Sequence, residues 1–257
     1  MWLGADNTTV ARFDVDTERV AGTIRVGAGS GYVAVAAGAG ALWAVDLDAG
    51  TLSRIDPATN TVTSTTPVGR SPRAVIVADD AVWVAIEGEG VVLRVDPATG
   101  ARTPVRVRGT PTWLAYAAGV LWVSDPANAS LARVDTSSNT IIGDGESGGC
   151  PGRVVAGESW VWVQDECMED TLFRLDPSTG KVAGSAKVSS GTEGFALAGG
   201  SLWVADGSDD NVAQLDANTG RLQRTIRVGS SPSDVVADAG SLWVVNTGDS
   251  TLSRIPL

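Results

Sequence analysis

The chain of 257 residues carries 19 basic and 30 acidic residues, a formal net charge of −11. Because an acidic surface is repelled by phosphate backbones and anionic headgroups, this charge argues against nucleic acid and membrane surfaces as partners and favours a neutral or cationic protein, peptide or small molecule. The sequence contains no histidine, which excludes imidazole general bases, Ser-His-Asp triads and histidine-ligated metals.

No apolar stretch has the length of a membrane-spanning helix. The longest, residues 32–45, is interrupted by a Gly-Ala turn and falls short of the roughly 20 apolar residues that a span requires. No basic segment followed by an apolar segment opens the chain, so we expect no secretory signal within it and no direct membrane insertion. The chain begins and ends inside a repeated phrase, which favours a piece of a longer protein.

Seven tryptophans divide the chain into repeats of 39 to 41 residues. They are Trp2, Trp43, Trp83, Trp122, Trp162, Trp203 and Trp243. Self-similarity at this period indicates a repeat architecture in which each copy is one supersecondary unit. We therefore expect one domain over residues 1–257.

Each complete unit contains four runs of β-branched and apolar residues bounded by turn residues, which predicts four strands. In the third copy these runs are "SPRAVIVA" (71–78), "AVWVAI" (81–86), "VVLRVD" (91–96) and "TPVRVRG" (103–109). Two-residue turns such as Ala39-Gly40 join the first strand to the second. The recurring phrase "DPATG" predicts an aspartate-stabilised turn between the third and fourth strands.

Four-stranded antiparallel units at this period favour a β-propeller, an all-β fold in which the sheets stack radially and the tryptophan fills the space between neighbouring blades. The strand count predicts seven blades, of which the first lacks its first strand and the last its fourth. Six blades are the alternative, if residues 22–27 close the last blade, and a linear stack of hairpins is a further one. Open strand edges invite pairing, so a dimer through the terminal blades is also open.

Two stretches carry a family resemblance, "GSLWVVNTGDSTLSRI" (240–255) and the copy that starts "GALWAVDLDAGTLSRIDPATN" (40–60). They resemble the YVTN-type repeat propellers and the streptogramin (virginiamycin B) lyase group of seven-bladed propellers. The resemblance spans the chain and implies the fold. The lyases rely on a catalytic histidine, for which this sequence has no counterpart, so the resemblance does not extend to their activity.

Residues that recur in every blade are expected to serve folding. The third strands carry Arg12, Arg54, Arg94, Arg133, Arg174 and Arg254, with Gln214 as the exception. A ring of anion sites is one interpretation of these arginines, and a structural ion pair or hydrogen bond is the favoured one. The second strands end in Asp46, Asp125, Asp165, Asp206 and Asn246. These lack the full spacing of a calcium loop, so solvated turn acids are favoured over a metal site, and no metal or cofactor is expected.

Departures from the repeat indicate candidate ligand-binding residues, because a single site in a ring requires asymmetry. At the start of the first strands stand Tyr32, Arg73, Trp113, Arg153, Glu193 and Asp234. Mixed charge with two aromatic rings at the mouth of an otherwise apolar channel is typical of a ligand or peptide site. The alternative is that loop mouths are polar and variable without function.

Cys150 and Cys167 form the other departure. With a hairpin turn at Glu158-Ser159, cross-strand partners have numbers that sum to 317, which places the two cysteines opposite each other. We expect a disulfide, with a free thiol pair or a metal site as the weaker alternatives. A disulfide indicates an oxidising, extracytoplasmic compartment.

These observations favour a non-catalytic binding or sensor propeller of an extracytoplasmic protein. One alternative is a hydrolase or lyase that uses Glu193 and Asp234 as acid and base or as holders of a divalent cation. The other is a structural spacer, for which the channel residues have no role. No catalytic residue is assigned.

Overall fold

The computed structural model describes residues 1–4, 8–27, 33–168 and 170–257, and for Glu193 the backbone alone. These residues form 26 strands and two short 3₁₀ turns, Glu87–Glu89 and Pro126–Asn128. The strands make seven antiparallel sheets in which sequence neighbours pair, five with four strands and two with three. The protein is a seven-bladed β-propeller. No helix in the described ranges is long and apolar enough to cross a membrane.

The strands follow the predicted pattern closely. In blades 1 to 4 they are β1 (Trp2–Gly4), β2 (Thr9–Asp14), β3 (Arg19–Arg25); β4 (Val33–Gly38), β5 (Ala41–Asp46), β6 (Thr51–Asp56), β7 (Thr61–Pro67); β8 (Pro72–Ala78), β9 (Ala81–Ile86), β10 (Val91–Val95), β11 (Arg102–Arg106); β12 (Trp113–Ala117), β13 (Val120–Asp125), β14 (Ser130–Asp135), β15 (Thr140–Asp144). In blades 5 to 7 they are β16 (Pro151–Ala156), β17 (Val161–Asp165), β18 (Thr171–Leu175), β19 (Val182–Lys187); β20 (Thr192–Ala198), β21 (Ser201–Asp206), β22 (Asn211–Asp216), β23 (Leu222–Arg227); β24 (Pro232–Asp238), β25 (Ser241–Asn246), β26 (Thr251–Pro256).

The first and last sheets carry three strands each, and they close the ring against each other. Phe13 of blade 1 meets Trp243 of blade 7 edge-on, with ring centroids 5.3 Å apart. Arg254 of blade 7 lies 3.3 Å from a carboxylate oxygen of Glu18. The strand β3 belongs to blade 1, so the six-bladed alternative, in which residues 22–27 close the last blade, is wrong.

Hairpin turns form as predicted between the first and second strands. In five blades both central residues have positive φ, for example Ala39 at 50° and Gly40 at 70°; the exception is blade 5, where Glu158 and Ser159 lie between Gly157 and Trp160, which are joined by a backbone hydrogen bond. Two successive left-handed residues are the conformation of type I′ turns, whose twist matches that of the flanking strands. In the "DPATG" turns the aspartate accepts backbone N–H groups two and three residues later, as Asp96 does from Ala98 and Thr99.

The second-strand tryptophans fill the space between neighbouring blades. Trp122, for example, is fully buried and packs with Leu131 of its own blade and with Val154, Val163 and Leu175 of the next. Each second strand presents one face to the preceding blade and one to the following blade, which explains why β5, β9 and β21 are buried along their whole length. The core therefore lies between sheets, repeated around the ring.

The recurring arginines stabilise this frame. Trp122 and Arg133 are direct cross-strand partners, and the guanidinium lies over the indole at 5.3 Å. The same group donates to the backbone carbonyls of Pro177 and Ser178 in the next blade. The structural interpretation is confirmed in these contacts, although the acceptors are carbonyl oxygens and aromatic faces rather than the adjacent aspartate.

Blade 6 replaces the arginine with Gln214 and compensates from the neighbouring strand. Arg224 of β23 pairs with Gln214, donates to its side-chain oxygen at 2.6 Å and lies over Trp203 at 5.8 Å. The cation over the indole is thus kept, supplied by the fourth strand.

The acids at the ends of the second strands are buried, so the expectation of solvated side chains is wrong. Asp46, Asp125, Asp165 and Asp206 are each less than a tenth exposed. Each accepts backbone N–H groups from the following turn; Asp46 accepts from Asp48 and Ala49 at 3.0 and 2.9 Å. These carboxylates cap the turn between the second and third strands by accepting N–H groups of the turn, and the hydrogen bonds satisfy the buried carboxylates themselves.

Candidate ligand site in the central channel

A cavity of about 780 Å³ lies on the axis of the ring and is lined mainly by the first strands. Most of its wall is aliphatic, from residues such as Val75, Leu114 and Val154. Polar side chains enter the wall at a few places, namely Arg73, Tyr116, Arg153, Ser233, Asp234 and Thr247. A mainly apolar cavity with a few polar groups is the usual form of a small-molecule or peptide site.

Bulges at the start of the first strands shape the entrance. The register shifts between Pro72 and Ala74, between Pro151 and Val154, between Thr192 and Phe195, and between Pro232 and Asp234. A bulge adds an unpaired residue and re-aims its side chain. Arg73 and Arg153 lie within two of these bulges, which accounts for long cations in the wall of an apolar channel.

Arg153 is the centre of the best-defined polar cluster. Its Nη2 donates to Asp234 Oδ1 at 2.6 Å, which joins blade 5 to blade 7 across blade 6. The guanidinium lies 5.4 Å from the ring centroid of Trp113 and 5.9 Å from that of Phe195. Only 19% of the Arg153 side chain is exposed, so its charge is held between two aromatic faces, an arrangement that strengthens cation–π attraction.

A glycine makes this bridge across blade 6 sterically feasible. A Cβ on Gly194 would come within 2.6 Å of the Asp234 Cα and 2.7 Å of the Ser233 carbonyl oxygen. Only a residue without a side chain fits this close approach of β20 to β24. The glycine therefore allows Asp234 to reach Arg153.

Asp234 and Arg73 differ in how firmly they are held. Asp234 is half exposed and accepts a second hydrogen bond from the Val235 N–H at 2.8 Å. Arg73 is more exposed than Arg153 and pairs with Glu87 at 2.8 Å. Because partly exposed ion pairs contribute little, the pair with Glu87 holds Arg73 only weakly.

The disulfide anchors the segment that carries Arg153. Cys150 and Cys167 are bonded, with Cα atoms 5.4 Å apart, as the sequence predicts. The prediction that the two cysteines are direct cross-strand partners is wrong, because the bulge shifts the register between them and the hairpin turn. The numbers of paired residues sum to 317 at Val154 and Val163 but to 316 at Pro151 and Asp165. The fully buried Asp165 adds to the anchor by accepting the N–H groups of Cys150 and Cys167.

The structure brings together three of the six predicted channel residues, Trp113, Arg153 and Asp234. Arg73 lines the same cavity but is paired with Glu87. Tyr32 and the side chain of Glu193 lie outside the described residues. The acid-base pair of the hydrolase alternative therefore cannot be placed, since it requires both Glu193 and Asp234.

Phe195 was missed by the sequence analysis. It lies opposite Val204 in blade 6, where the other blades place aliphatic residues at the equivalent position. These are Val35, Val75, Leu114, Val154 and Val235. The signal that identifies it is a single aromatic residue in an otherwise aliphatic column of the repeat.

No protein-family model matches the sequence, and no curated protein matches it either. Solved structures share the fold. Hydrazine synthase of Kuenenia stuttgartiensis superposes with a TM-score of 0.80 at 13% identity, covering 97% of this chain and 90% of that one. The β-propeller domain of Cps50 (Swd1) from Myceliophteria thermophila gives 0.81 at 11% identity, covering 100% and 93%.

A member of the streptogramin lyase group also shares the fold. Virginiamycin B lyase from Staphylococcus aureus superposes with a TM-score of 0.72 at 14% identity, covering 88% of this chain and 84% of that one. At such low identities the likeness concerns the fold alone, because propellers of one shape serve unrelated functions.

Proposed function

We propose that this chain is a YVTN-type propeller that acts as a non-catalytic binding domain and takes its ligand in the central channel. The observation that carries the proposal is the Arg153 guanidinium, held between Trp113 and Phe195 and paired with Asp234 inside an apolar cavity. Burying a cation in such a wall is costly unless it is paired.

The chemistry of the cluster defines the ligand class. Asp234 presents a carboxylate to Arg153, and it is half exposed, so a ligand carboxylate can take its place at the guanidinium. The ring of Trp113 and the aliphatic wall then cover an apolar body, while the fully buried Phe195 contacts only the guanidinium. Because the chain carries a net charge of −11, polyanions are repelled. The favoured ligand is a peptide or small molecule with one carboxylate and an otherwise neutral or cationic body.

The disulfide supports an extracytoplasmic location, either periplasmic, secreted or at the cell surface. Disulfides persist in oxidising compartments and are rare where thiol reductants are abundant. In this fold the bond holds the segment that presents Arg153, so an oxidising environment also preserves the proposed site.

A ligand screen tests the function. Carboxylate-bearing fragments and short peptides are screened by ligand-observed NMR against the wild type, Arg153→Ala and Trp113→Ala. Arg227→Ala is the matched control, because Arg227 is an exposed arginine on the outer strand β23. We expect compounds that bind the wild type and Arg227→Ala but not Arg153→Ala, with weaker binding to Trp113→Ala.

Thermal denaturation of each variant separates lost binding from lost folding. Compounds that bind all four proteins equally well would show that the channel cluster is part of the frame. If none of the carboxylate-bearing compounds binds the wild type, the proposed ligand class is refuted.

A further inference from the structure

A second cavity lies on the perimeter of the ring, in a groove between blades 2 and 3. It encloses about 360 Å³. Its floor is apolar, with Val68 from the end of blade 2 and Val91 and Leu93 from β10, and each of these side chains is less than a tenth exposed. Three residues of the outer strand β11 form its rim: Arg102, Pro104 and Arg106. The groove therefore combines an apolar floor with two cationic side chains.

The outer strand of blade 3 departs from the repeat in its pairing. In the other five blades that have a fourth strand, the pairing of the third and fourth strands shifts by one residue at a bulge. Blade 3 pairs Val91–Val95 with Arg102–Arg106 without a shift. The tryptophan spacing across this stretch, from Trp83 to Trp122, is also the shortest in the ring. The strand β11 is therefore regular, and its three rim residues stand on one face.

Arg102 is a second departure from the repeat. The residue at this place in the other described fourth strands is aliphatic: Val20, Val62, Ile141, Val182 or Leu222. In blade 3 the residue opposite Val95 is Arg102. The place of Arg106 is basic in blades 1, 5 and 6 as well, where it holds Arg25, Lys187 and Arg227. Two arginines at these two places occur together in blade 3 alone among the described strands.

The rim arginines have no carboxylate partner among the described residues. Arg102 donates one N–H to the Pro67 carbonyl at 2.6 Å, which holds its guanidinium across the groove and leaves further N–H groups for a ligand. Glu89 is the acidic residue of the wall, and its Oε1 accepts the Arg70 N–H at 3.1 Å. Because charges are screened beyond about 8 Å at physiological ionic strength, these local groups matter more to a ligand in the groove than the net charge of the chain.

Pro104 makes the side chains of the groove, and not its backbone edge, the recognition surface. The bond from the Val107 N–H to the Gly90 carbonyl sets the ladder, so the backbone groups of the three rim residues point away from β10. Proline has no N–H, and Pro104 therefore removes the middle donor from this open edge. A strand added at the edge would lose a hydrogen bond at this point.

We propose that this groove is a second binding surface, which takes an extended acidic segment of a partner protein. Two carboxylates of the segment pair with Arg102 and Arg106, whose guanidinium groups can each donate to both oxygens of a carboxylate. An apolar side chain between the two acids lies on the apolar floor, which favours a protein segment over a nucleic acid backbone. The proposal does not rest on the channel site, because no residue lines both cavities.

A short peptide that reproduces this spacing is the probe. Two residues four positions apart on a strand are separated by about 13 Å. The labelled peptide Gly-Glu-Ala-Leu-Ala-Glu-Gly repeats this spacing and, when extended, places both glutamates and the leucine on one face. Fluorescence anisotropy with the 257-residue chain should show saturable binding that weakens between about 0.05 M and about 0.5 M salt. The matched peptide with glutamine in place of both glutamates should bind at least about tenfold more weakly.

Matched protein variants locate the site. Arg102→Val gives blade 3 an aliphatic residue like those of the other blades, and Arg106→Ala removes the other cation. Arg227→Ala is the control, because Arg227 holds the place of Arg106 in blade 6 and its loss changes the net charge equally. We expect each groove variant to weaken binding about three- to fivefold and the control to leave it unchanged. Glu89→Gln, which keeps an acceptor for the Arg70 N–H, should strengthen binding. Thermal denaturation of each variant separates lost binding from lost folding.

Several results would overturn the proposal: no saturable binding at millimolar peptide, equal binding of the glutamine peptide, or equal effects of Arg106→Ala and Arg227→Ala. Peptide-induced shifts of amide NMR signals in β12 instead of β10 would place the peptide in the channel. Single-stranded DNA that displaces the peptide at lower concentration would show that the groove takes a polyanion. A dimer in light scattering that the peptide dissociates and that Arg102→Val abolishes would show that the occupant is a second copy of the chain.

Discussion

Removal of the Cys150–Cys167 disulfide gives the sharpest test of how blade 5 is stabilised. The change is the double variant Cys150→Ser and Cys167→Ser, which keeps side chains of similar size and removes only the covalent link. The bond closes a loop with a sequence separation of 17. In the chain-entropy account, releasing a loop of this length costs about 3 kcal/mol of unfolding free energy.

The expected shift in melting temperature follows from the length of the chain. At about 2.1 cal/mol/K per residue, 257 residues give an unfolding entropy of about 0.5 kcal/mol/K. A loss of about 3 kcal/mol then lowers the melting temperature by about 6 °C.

Scanning calorimetry and guanidinium denaturation, each with and without a thiol reductant, measure the effect. We expect the reductant to lower the stability of the wild type to that of the double variant and to leave the double variant unchanged. A wild type that is insensitive to reductant while its thiols become titratable would refute the entropic argument. A double variant as stable as the oxidised wild type would do the same.

Three further predictions concern the frame. Arg224→Ala removes the cation over Trp203 and should cost about 0.5–1 kcal/mol in denaturant titrations, and adding Gln214→Arg should restore it; failure of this rescue would refute the compensation. Trp122→Ala empties a fully buried site and should cost about 3–5 kcal/mol by the same assay; a cost below 1 kcal/mol would contradict its role between blades. Hydrogen bonds, first from the Ser137 hydroxyl and then from the Ser138 N–H, lower the pKa of Asp135 from 3.8 to about 2. The unfolded state then binds protons more tightly at this residue, so the contribution of Asp135 to stability should be constant above about pH 4 and fall toward pH 2. Other aspartates, such as Asp96 and Asp176, also have pKa values lowered by turn hydrogen bonds, so Asp135→Asn should make the acid limb of a melting-temperature profile shallower without removing it; an unchanged limb would contradict the role of Asp135.

The fold could be predicted from the sequence because the repeated units can be aligned with one another, and the alignment shows which residues are equivalent in each blade. Each tryptophan marks the same point of a blade, so turns such as Asp79-Asp80 and the strands on either side are placed by comparison with the other copies. The incomplete first and last sheets follow from the same count.

The candidate site could be predicted only in part, because its geometry depends on the bulges. A bulge is a shift in backbone pairing, and the residues at Pro151–Val154 carry no pattern that requires one. The contact between Arg153 and Asp234 joins residues 81 positions apart in blades that are not adjacent, so no local spacing indicates it. The burial of Asp165 was missed for a related reason, since an acid before a turn has the same sequence pattern whether or not the next blade covers it.

The exchange between Gln214 and Arg224 bears on how such rings diverge over evolution. The requirement for a cation over the indole applies to a pair of residues on neighbouring strands and not to one position of the repeat. A blade can therefore lose its consensus arginine and keep the contact between the cation and the indole. Copies of the repeat can therefore drift apart in sequence without loss of stability. Low identity among propellers of one shape is then the expected result of neutral compensation within each sheet, and searches for related blades should score residue pairs across strands.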